Sequence, residues 1–357
     1  MKIELNTDFY VPIWRFFYTS SVPYKLPYSF DYNGVKYNNA ICILQIACFI
    51  DEYAFHERGP DYMNENNILN DYGENHIICV PNMKIFDLFR KYRPKLNICL
   101  ANHNAFIDEK FYTIDYSQKI TYDLFVNSQF LECKNLNLLH DIDNMCGVGY
   151  YPYGLTDGTD EGCGRKCVKF PSSVKKILNF DDGEERVEKN WKYVDPEKIV
   201  KELNSSKIGG IVSTAEGACF SSSEYLLCGI PVLSCKCEGG REIWYDDNNS
   251  ELCDPNNISI RKTLNIMLNK YDNGEYNREN IRNNHIKIME IHRNNLSHAV
   301  LDIMKKIVYN DNLPSLEKLT ESLKHYHSNN RCYEYTYGYK RQTEREYLAL
   351  KVLNIKI

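Results

Sequence analysis

Two glutamates, Glu216 and Glu224, lie eight residues apart in a segment that combines a loop, a short helix and a strand. Glu216 falls in the loop, Glu224 marks the start of the predicted helix, and Gly229-Ile230-Pro231 ends that helix before an apolar strand. Carboxylates accept hydrogen bonds from sugar or ribose hydroxyls, and a helix N-terminus attracts phosphate through its N–H groups and its dipole. The segment therefore predicts a site where two carboxylates and a helix N-terminus surround one ligand. A nucleotide sugar carries all of the groups that such a site would bind.

The elements that precede this segment begin with a first series of strands and helices. The pattern predicts buried strands at residues 75–80 and 96–100, with a helix over Met83–Tyr92 that stops before Pro94. The apolar run Ile41–Ile50 predicts a buried helix, with a strand as the alternative. Strand, helix and strand joined by short connections are typical of a parallel sheet.

A second series begins with a strand at Tyr122–Asn127 and continues to the C-terminal helices. Its next helix begins with Asp195 as N-cap and Pro196 at the first helical position, and Gly154–Gly164 is a predicted loop. The remaining predicted strands are Val148–Tyr153, Lys176–Phe180 and Ile208–Val212, and the remaining helices are Ser259–Tyr271, Tyr276–Tyr309, Ser315–Tyr326 and Thr343–Val352. The two series predict an α/β fold of two Rossmann-like domains, at residues 1–120 and 121–310, followed by a helical tail at 311–357. Ligands of such folds collect at the carboxyl ends of the strands.

Composition narrows the class of protein. The chain has 357 residues, enough for two domains with separate cores, and its net charge of -5 gives no reason to expect a nucleic-acid partner. The 14 cysteines are spread through apolar segments, and the two close pairs, Cys163 with Cys167 and Cys235 with Cys237, have no matching second pair for zinc. No N-terminal leader and no apolar run of membrane-spanning length is present, so we expect a soluble, cytoplasmic protein without a transmembrane segment.

From Lys207 to about Leu264 the chain resembles the donor-binding domain of retaining GT-B glycosyltransferases of the family-four type. A Glu-x7-Glu pair alone would arise by chance, and the surrounding elements make this one specific. The matching residues are the strand Ile208–Val212, Glu216-Gly217, Glu224 to Val232, Gly239-Gly240-Arg241-Glu242 and Asp246-Asp247-Asn248-Asn249. The resemblance implies a GT-B architecture, in which two Rossmann-like domains face a cleft and the C-terminal helices cross back to the first domain.

The resemblance also implies roles for the residues that match. Glu216 would contact hydroxyls of the donor sugar, and Glu224 would accept hydrogen bonds from the nucleotide ribose. The backbone N–H groups that would face the sugar and the diphosphate are those of Gly217, Ala218, Cys219 and Phe220. The base would be recognised through backbone contacts near Val194.

The family usually supplies a lysine and an arginine that stabilise the departing diphosphate in place of a metal ion. Lys134 matches the lysine and is a candidate for catalysis and for diphosphate binding. The arginine is absent, since Ser128 or Gln129 stands near its position, and Arg241 is the candidate replacement.

Two histidines receive different interpretations. His103 follows the strand predicted at residues 96–100, a position that faces the inter-domain cleft in a GT-B fold. The resemblance therefore makes it a candidate catalytic residue that contacts the donor sugar or positions the acceptor hydroxyl. A helix-capping or core histidine is the alternative. His292 and Arg293 lie on the long terminal helix among apolar residues, and we assign them a structural role.

The function implied by the resemblance is retaining transfer of a sugar from a UDP- or GDP-sugar to a hydroxyl of a glycan, lipid or protein, with no metal or other cofactor. Two alternatives stay open. A nucleotide-sugar-binding protein that has lost turnover is supported by the absent arginine and by the lack of a Gly-rich loop near the N-terminus. A sugar-nucleotide epimerase would need a deeper set of acid and base groups.

Overall fold

The computed structural model describes residues 76–150, 170–179, 181, 192–214, 216, 219–237, 239–307 and 313–328, together with six strands before residue 47. The chain divides into two compact units, one formed by Met1–Asp108 and Lys287–Ile357 and the other by Glu109–Ile286. Each unit contains a parallel sheet, so the prediction of an α/β chain is confirmed. The predicted loop Gly154–Gly164 and the predicted helix Thr343–Val352 lie outside the described residues.

The first unit is built on short strands. In chain order these are β1 (Glu4–Leu5), β2 (Phe9–Tyr10), β3 (Trp14–Thr19), β4 (Phe30–Tyr32), β5 (Val35–Tyr37), β6 (Ile41–Ile46), β7 (His76–Val80) and β8 (Ile98–Leu100). Strands β3, β6, β7 and β8 form a parallel sheet in that order, and β1–β2 and β4–β5 are antiparallel pairs. Helix α1 (Met83–Tyr92) joins β7 to β8, and Asn82 caps it by accepting a 3.0 Å hydrogen bond from the N–H of Ile85.

The sequence prediction of a buried helix over Ile41–Ile50 is wrong, and the strand alternative is the observed structure over Ile41–Ile46. Isoleucines at positions 41, 43 and 46 explain the difference, because β-branched side chains lose rotamer freedom in a helix and pack well on a pleated sheet. The pairing of β6 with both β3 and β7 places this run inside the parallel sheet.

The second unit carries a six-stranded parallel sheet. Its strands are β9 (Tyr122–Gln129), β10 (Met145–Tyr150), β11 (Lys176–Ile177), β12 (Ser206–Ile211), β13 (Val232–Cys235) and β14 (Ser250–Cys253). Their spatial order is β11-β10-β9-β12-β13-β14, which is the 3-2-1-4-5-6 order of a doubly wound fold. The order reverses between β9 and β12, and ligands of such sheets bind in the crevice at the carboxyl ends of these strands.

The helices are α2 (Pro196–Asn204), α3 (Phe220–Leu227), α4 (Asn257–Asp272), α5 (Arg278–Ile307) and α6 (Leu316–Ser328). Helix α2 begins as predicted, with the Asp195 carboxylate accepting a 2.8 Å hydrogen bond from the N–H of Glu197. Helix α5 starts in the second unit and ends in the first. None of the described helices is long and apolar enough to cross a membrane.

Alternating side chains of β9 pack on its two faces. Leu124 and Val126 belong to a buried apolar cluster that also contains Ile260 of α4. Phe125 points to the other face, where its ring meets that of Tyr225 edge-on, with the ring centroids 6.0 Å apart. The sheet is therefore covered on both faces, as a parallel sheet requires.

Helix α3 approaches the sheet closely because β12 has a glycine beneath it. A Cβ atom added at Gly209 would lie 2.2 Å from Cδ2 of Tyr225. The Tyr225 side chain is completely buried, and its hydroxyl accepts a 2.7 Å hydrogen bond from the N–H of Asn127 at the end of β9. The missing side chain at position 209 thus lets α3 pack close to the carboxyl ends of β9 and β12, the two strands between which the order reverses.

Candidate active site at the carboxyl ends of β9 and β12

Glu216 lies in the loop that follows β12 and is held by three side chains. Its Oε1 accepts a hydrogen bond from Nζ of Lys134, and its Oε2 accepts one from Oγ of Ser213 and one of 3.0 Å from Nη1 of Arg241. The Glu216 side chain is 15% exposed and the Lys134 side chain 14% exposed. The structure therefore places a shielded carboxylate between two cations.

Arg241 is completely buried and uses its whole guanidinium group on protein acceptors. Besides Glu216, Nη1 donates to Oγ of Ser213 at 2.6 Å, Nη2 donates to the carbonyls of Ser213 and Cys235 at 2.7 and 2.8 Å, and Nε donates to Oγ of Ser234 at 3.2 Å. A guanidinium has five N–H groups, so each is matched by one acceptor. Arg241 consequently ties the ends of β12 and β13 to Glu216.

Two glycines in the turn before Arg241 allow its side chain to point toward Glu216. Gly239 and Gly240 have φ angles of 154° and 142°, which side-chain-bearing residues rarely adopt. They precede the short 3₁₀ helix Arg241–Trp244, and the N–H of Gly240 donates to Oε2 of Glu242 at 3.0 Å. The Gly-Gly-Arg-Glu sequence is thus a turn that points one arginine into the interior.

Lys134 reaches Glu216 from the loop after β9. It ends the 3₁₀ helix Glu132–Lys134, and the next residue, Asn135, has the left-handed conformation with φ 53°. Nδ2 of Asn135 donates to the carbonyl of Val212 at 3.2 Å, so the turn is fastened to the end of β12. Burial alone would lower the pKa of Lys134, but the negative charge of Glu216, its hydrogen bond and the neighbouring Cys219 together outweigh burial, and the pKa is raised. Lys134 is therefore protonated at neutral pH.

The pKa of Glu216 is set by opposing effects. Burial alone would raise it, but the positive charges of Lys134 and Arg241 and the hydrogen bonds from Lys134 and Ser213 dominate and lower the pKa from 4.5 to about 2. Glu216 is therefore ionised at neutral pH, and an ionised carboxylate carries no donor and accepts hydrogen bonds at both oxygens.

The lowered pKa of Glu216 predicts a pH-dependent contribution to stability. Because the folded-state pKa is about 2 and the ordinary value is 4.5, the contribution is complete above about pH 4.5 and is lost as the pH falls toward 2. We expect the gap in unfolding free energy between wild type and Glu216→Gln, on the order of 3 kcal/mol at neutral pH, to shrink in this window. Urea denaturation between about pH 6 and pH 3 measures the gap. A pH-independent gap would contradict the assignment, and Glu132→Gln, on the exposed side of the Lys134 loop, is the control.

Glu224 lies in α3 and accepts hydrogen bonds from two sides. The hydroxyl of Tyr112 donates to its Oε1 at 2.8 Å, and Nδ2 of Asn127 donates to its Oε2 at 3.1 Å. The sequence prediction that Glu224 begins the helix is wrong by one turn, because α3 starts at Phe220. Glu224 therefore presents its carboxylate from the side of the helix rather than from its first residue.

One face of α3 holds the end of β9. Residues three and four positions apart share a helix face, and Ser221, Glu224 and Tyr225 follow that spacing. Ser221 Oγ donates to the carbonyl of Asn127 at 2.9 Å, and Tyr225 and Glu224 accept from the backbone and side chain of the same asparagine. Both glutamates are thus brought to the point where the strand order reverses.

The other residues predicted at the nucleotide occupy different places. Cys219 is the N-cap of α3 and Phe220 its first residue, so their backbone stands at the positive end of the helix. Gly217 and Ala218 lie outside the described residues. Val194 precedes the N-cap of α2 with its side chain buried, and its contact with the base stays a prediction.

His103 belongs to the first unit, whereas Lys134, Glu216, Glu224 and Arg241 belong to the second. It begins the 3₁₀ helix His103–Phe106 and is 1% exposed. Its catalytic role stays a prediction, and its burial matches the core alternative.

Helix α5 holds this short helix in place. Nε of Arg293 donates to the carbonyl of Ala105, and Nδ1 of His292 accepts from the N–H of Asn102 at 3.4 Å. Arg293 and His292 are both buried, in keeping with the structural role assigned to them.

Sequence reasoning assigned no role to Tyr112, Asn127, Ser213 or Tyr225. Ser213 and Asn127 had a usable signal, since each stands at the carboxyl end of a predicted strand, where ligands of these folds collect. Tyr225 adjoins a motif glutamate in the sequence, but its partner belongs to another strand. Tyr112 lies in a segment without any motif.

Within the described residues, no group of three or more His, Cys, Asp and Glu side chains is placed to hold a metal ion. Cys235 and Cys237 are free thiols, and Sγ of Cys235 lies 3.7 Å from Sγ of Cys253 in the neighbouring strand. Cys163 and Cys167 lie outside the described residues. Metal independence stays a prediction.

No protein-family model matches the chain, and no curated protein matches it by sequence. Among solved structures, TarM is similar at 15% identity and a TM-score of 0.48, over 73% of this chain and 50% of TarM. Sucrose-phosphate synthase from Thermosynechococcus elongatus is similar at 12% identity and a TM-score of 0.49, over 75% of this chain and 67% of the synthase. The pneumococcal O-GlcNAc transferase GtfA, solved with UDP and GlcNAc, is similar at 13% identity and a TM-score of 0.45, over 79% of this chain and 53% of GtfA. The match thus spans about half of TarM and of GtfA.

Proposed function

We propose that the chain is a retaining glycosyltransferase of GT-B architecture that moves a sugar from a UDP- or GDP-sugar to a hydroxyl of a glycan, lipid or protein. The observation that carries the proposal lies where the strand order of a doubly wound sheet reverses. There Glu216, in the loop after β12, accepts from Lys134, and Glu224 accepts from Asn127 of β9. Lys134, Glu216 and Glu224 belong to the family-four resemblance, and their location beside the carboxyl ends of β9 and β12 supports the proposal because ligands of doubly wound sheets bind at that edge.

Glu216 is suited to hold the donor sugar. It is ionised, and three donors already fix its position, from Lys134, Ser213 and Arg241. A carboxylate accepts about four hydrogen bonds, so Oε1 can take one more from a sugar hydroxyl. An acceptor held by two cations needs little reorganisation when the sugar binds, which favours accurate positioning of the reacting carbon.

Lys134 is suited to stabilise the departing diphosphate. An ammonium group has three N–H donors, and one of them is engaged with Glu216. Arg241 cannot add a direct contact without giving up one of its five protein acceptors, so we assign it a positioning role that acts through Glu216. Negative charge that develops on the leaving phosphate would be met by Lys134 and by the N–H groups at the start of α3, without a bound metal ion.

In the proposed reaction the acceptor hydroxyl attacks the face of the sugar from which the diphosphate departs. Its proton passes to an oxygen of the leaving phosphate, so the anomeric configuration is kept and no protein carboxylate acts as a nucleophile. The chain contributes orientation and fixed charges.

The second candidate is a nucleotide-sugar-binding protein without turnover. It is favoured by the engagement of Arg241 inside the protein, which leaves Lys134 as the one cation among the described residues that we assign to the diphosphate. Transfer and donor hydrolysis distinguish the two candidates, because a binding protein would show neither.

The test begins with thermal unfolding in the presence of UDP, GDP, ADP and CMP, with magnesium or with a chelator. We expect one nucleoside diphosphate to raise the melting temperature in chelator, since a ligand at 100 times its Kd stabilises the native state by about 2.7 kcal/mol. Glu224→Ala should lose the shift and Glu279→Ala, at an exposed glutamate of α5, should keep it. The matching nucleotide sugar is then assayed for hydrolysis and transfer. If no nucleoside diphosphate shifts the wild type, the proposed function is wrong.

A further inference from the structure

The segment that leads into β9 carries a tyrosine that reaches the proposed ribose site. The hydroxyl of Tyr112 donates a 2.8 Å hydrogen bond to Oε1 of Glu224, and Asn127 donates to the other oxygen at 3.1 Å. Donors on both oxygens fix the plane of the carboxylate more firmly than a donor on one oxygen would.

The backbone of this segment is fastened to the start of α5. The guanidinium of Arg282 donates to the carbonyls of Glu109, Tyr112 and Leu227. Leu227 is the last residue of α3, the helix that carries Glu224, and its carbonyl is one of those that have no partner within the helix. One arginine therefore holds both the tyrosine segment and the helix of its hydrogen-bond partner.

Asn204 at the end of α2 adds a second attachment. Its Nδ2 donates to the carbonyl of Thr113 at 3.0 Å, and its Oδ1 accepts from the N–H of Asp115 at 2.9 Å. Arg278 binds the same Oδ1 and also donates to the carbonyl of Cys228 at 2.7 Å. Tyr112 is thus placed by a network rather than by a lone surface contact.

We propose that Tyr112 is a positioning residue that makes Glu224 selective for a ribose with both of its vicinal hydroxyls. The inference rests on the proposed function, in which Glu224 accepts from the ribose. A carboxylate whose plane is fixed from both sides presents its two oxygens to two adjacent hydroxyls at once. A 2′-deoxyribose offers one hydroxyl and gains less from that fixed plane.

Tyr112→Phe removes the hydroxyl and keeps the ring. We expect it to weaken UDP binding about 5- to 10-fold, a change of the size that one ordinary hydrogen bond contributes, and to change 2′-deoxy-UDP binding less. The preference for UDP over 2′-deoxy-UDP should therefore fall toward one. Tyr116→Phe is the matched control, because Tyr116 lies in the same segment, is exposed, and directs its hydroxyl to Glu279 at 3.3 Å.

Titration calorimetry of wild type and variants with UDP and 2′-deoxy-UDP makes the test, with GDP and 2′-deoxy-GDP if guanine is the base that binds. Tyr112→His keeps a ring N–H donor and should retain part of the preference for UDP over 2′-deoxy-UDP. It replaces Tyr112→Phe in the test if that variant does not fold. An unchanged preference in Tyr112→Phe, tighter binding by it, or equal affinity of the wild type for the two nucleotides overturns this inference alone. If neither diphosphate binds the wild type, the proposed function fails with it.

Discussion

Arg241→Met is expected to lower the free energy of unfolding by about 3–5 kcal/mol, the usual result of removing one partner from a buried ion pair. Methionine keeps much of the arginine volume and loses all five hydrogen bonds. The carbonyls of Ser213 and Cys235 and the carboxylate of Glu216 would lose a buried donor. Urea denaturation followed by circular dichroism measures the change.

The matched control for Arg241→Met is Arg261→Met. Arg261 is 53% exposed and pairs loosely with Asp141, with 3.7 Å between Nη1 and Oδ2, so its loss should cost about 0.5 kcal/mol or less. Adding Glu216→Gln to Arg241→Met should cost less than the two single changes together, because a neutral amide then replaces the carboxylate that has lost one of its two cations. Equal unfolding midpoints for wild type and Arg241→Met would contradict the positioning role of this arginine.

Lys134→Ala is expected to slow sugar transfer about 100- to 1000-fold, the usual effect of removing one group that stabilises charge in a transition state. The protein should stay folded, since Arg241 continues to hold Glu216. Single-turnover transfer with saturating donor measures the chemical step apart from binding.

Lys236→Ala is the control for this substitution. Lys236 also follows the carboxyl end of a strand, β13, but it is 66% exposed and paired with Asp254 at 2.9 Å. It should transfer at the wild-type rate. Lys134→Arg, which keeps the charge, should lie between wild type and Lys134→Ala. A wild-type transfer rate in Lys134→Ala would remove Lys134 from the proposed mechanism.

Local signals in the sequence were sufficient to predict most elements of the second unit. Asp195 and Pro196 begin α2 because capping and the fixed φ of proline act within one turn. The start of α3 was missed because its N-cap is Cys219, a residue with no capping preference. The Glu-x7-Glu spacing survives this error, because it depends on chain order and not on where the helix begins.

The hydrogen-bond partners of the site residues could not be predicted from neighbouring residues in the sequence. Nothing near Arg241 in the chain indicates that it will donate to Ser213, and nothing near Glu224 indicates Tyr112. These contacts follow from strand order, and periodicity predicts that a strand exists without saying which strand lies beside it. The two carboxylates and the lysine therefore stay predictions from the sequence, and only the fold shows which groups contact them.

The placement of β12 beside β9 affects how readily the folded chain opens and is cleaved by proteases. Pairing β9 with β10 joins Leu124 to Met145, whereas pairing it with β12 joins Tyr122 to Ser206 across a much longer loop. The longer closure costs more chain entropy, so contacts of this kind tend to form late and to open early. A nucleoside diphosphate that contacts the loops after both β9 and β12 would stabilise the pairing of these two strands. If the proposed function holds, the concentration of the donor would then affect the resistance of the chain to proteolysis as well as its rate of turnover.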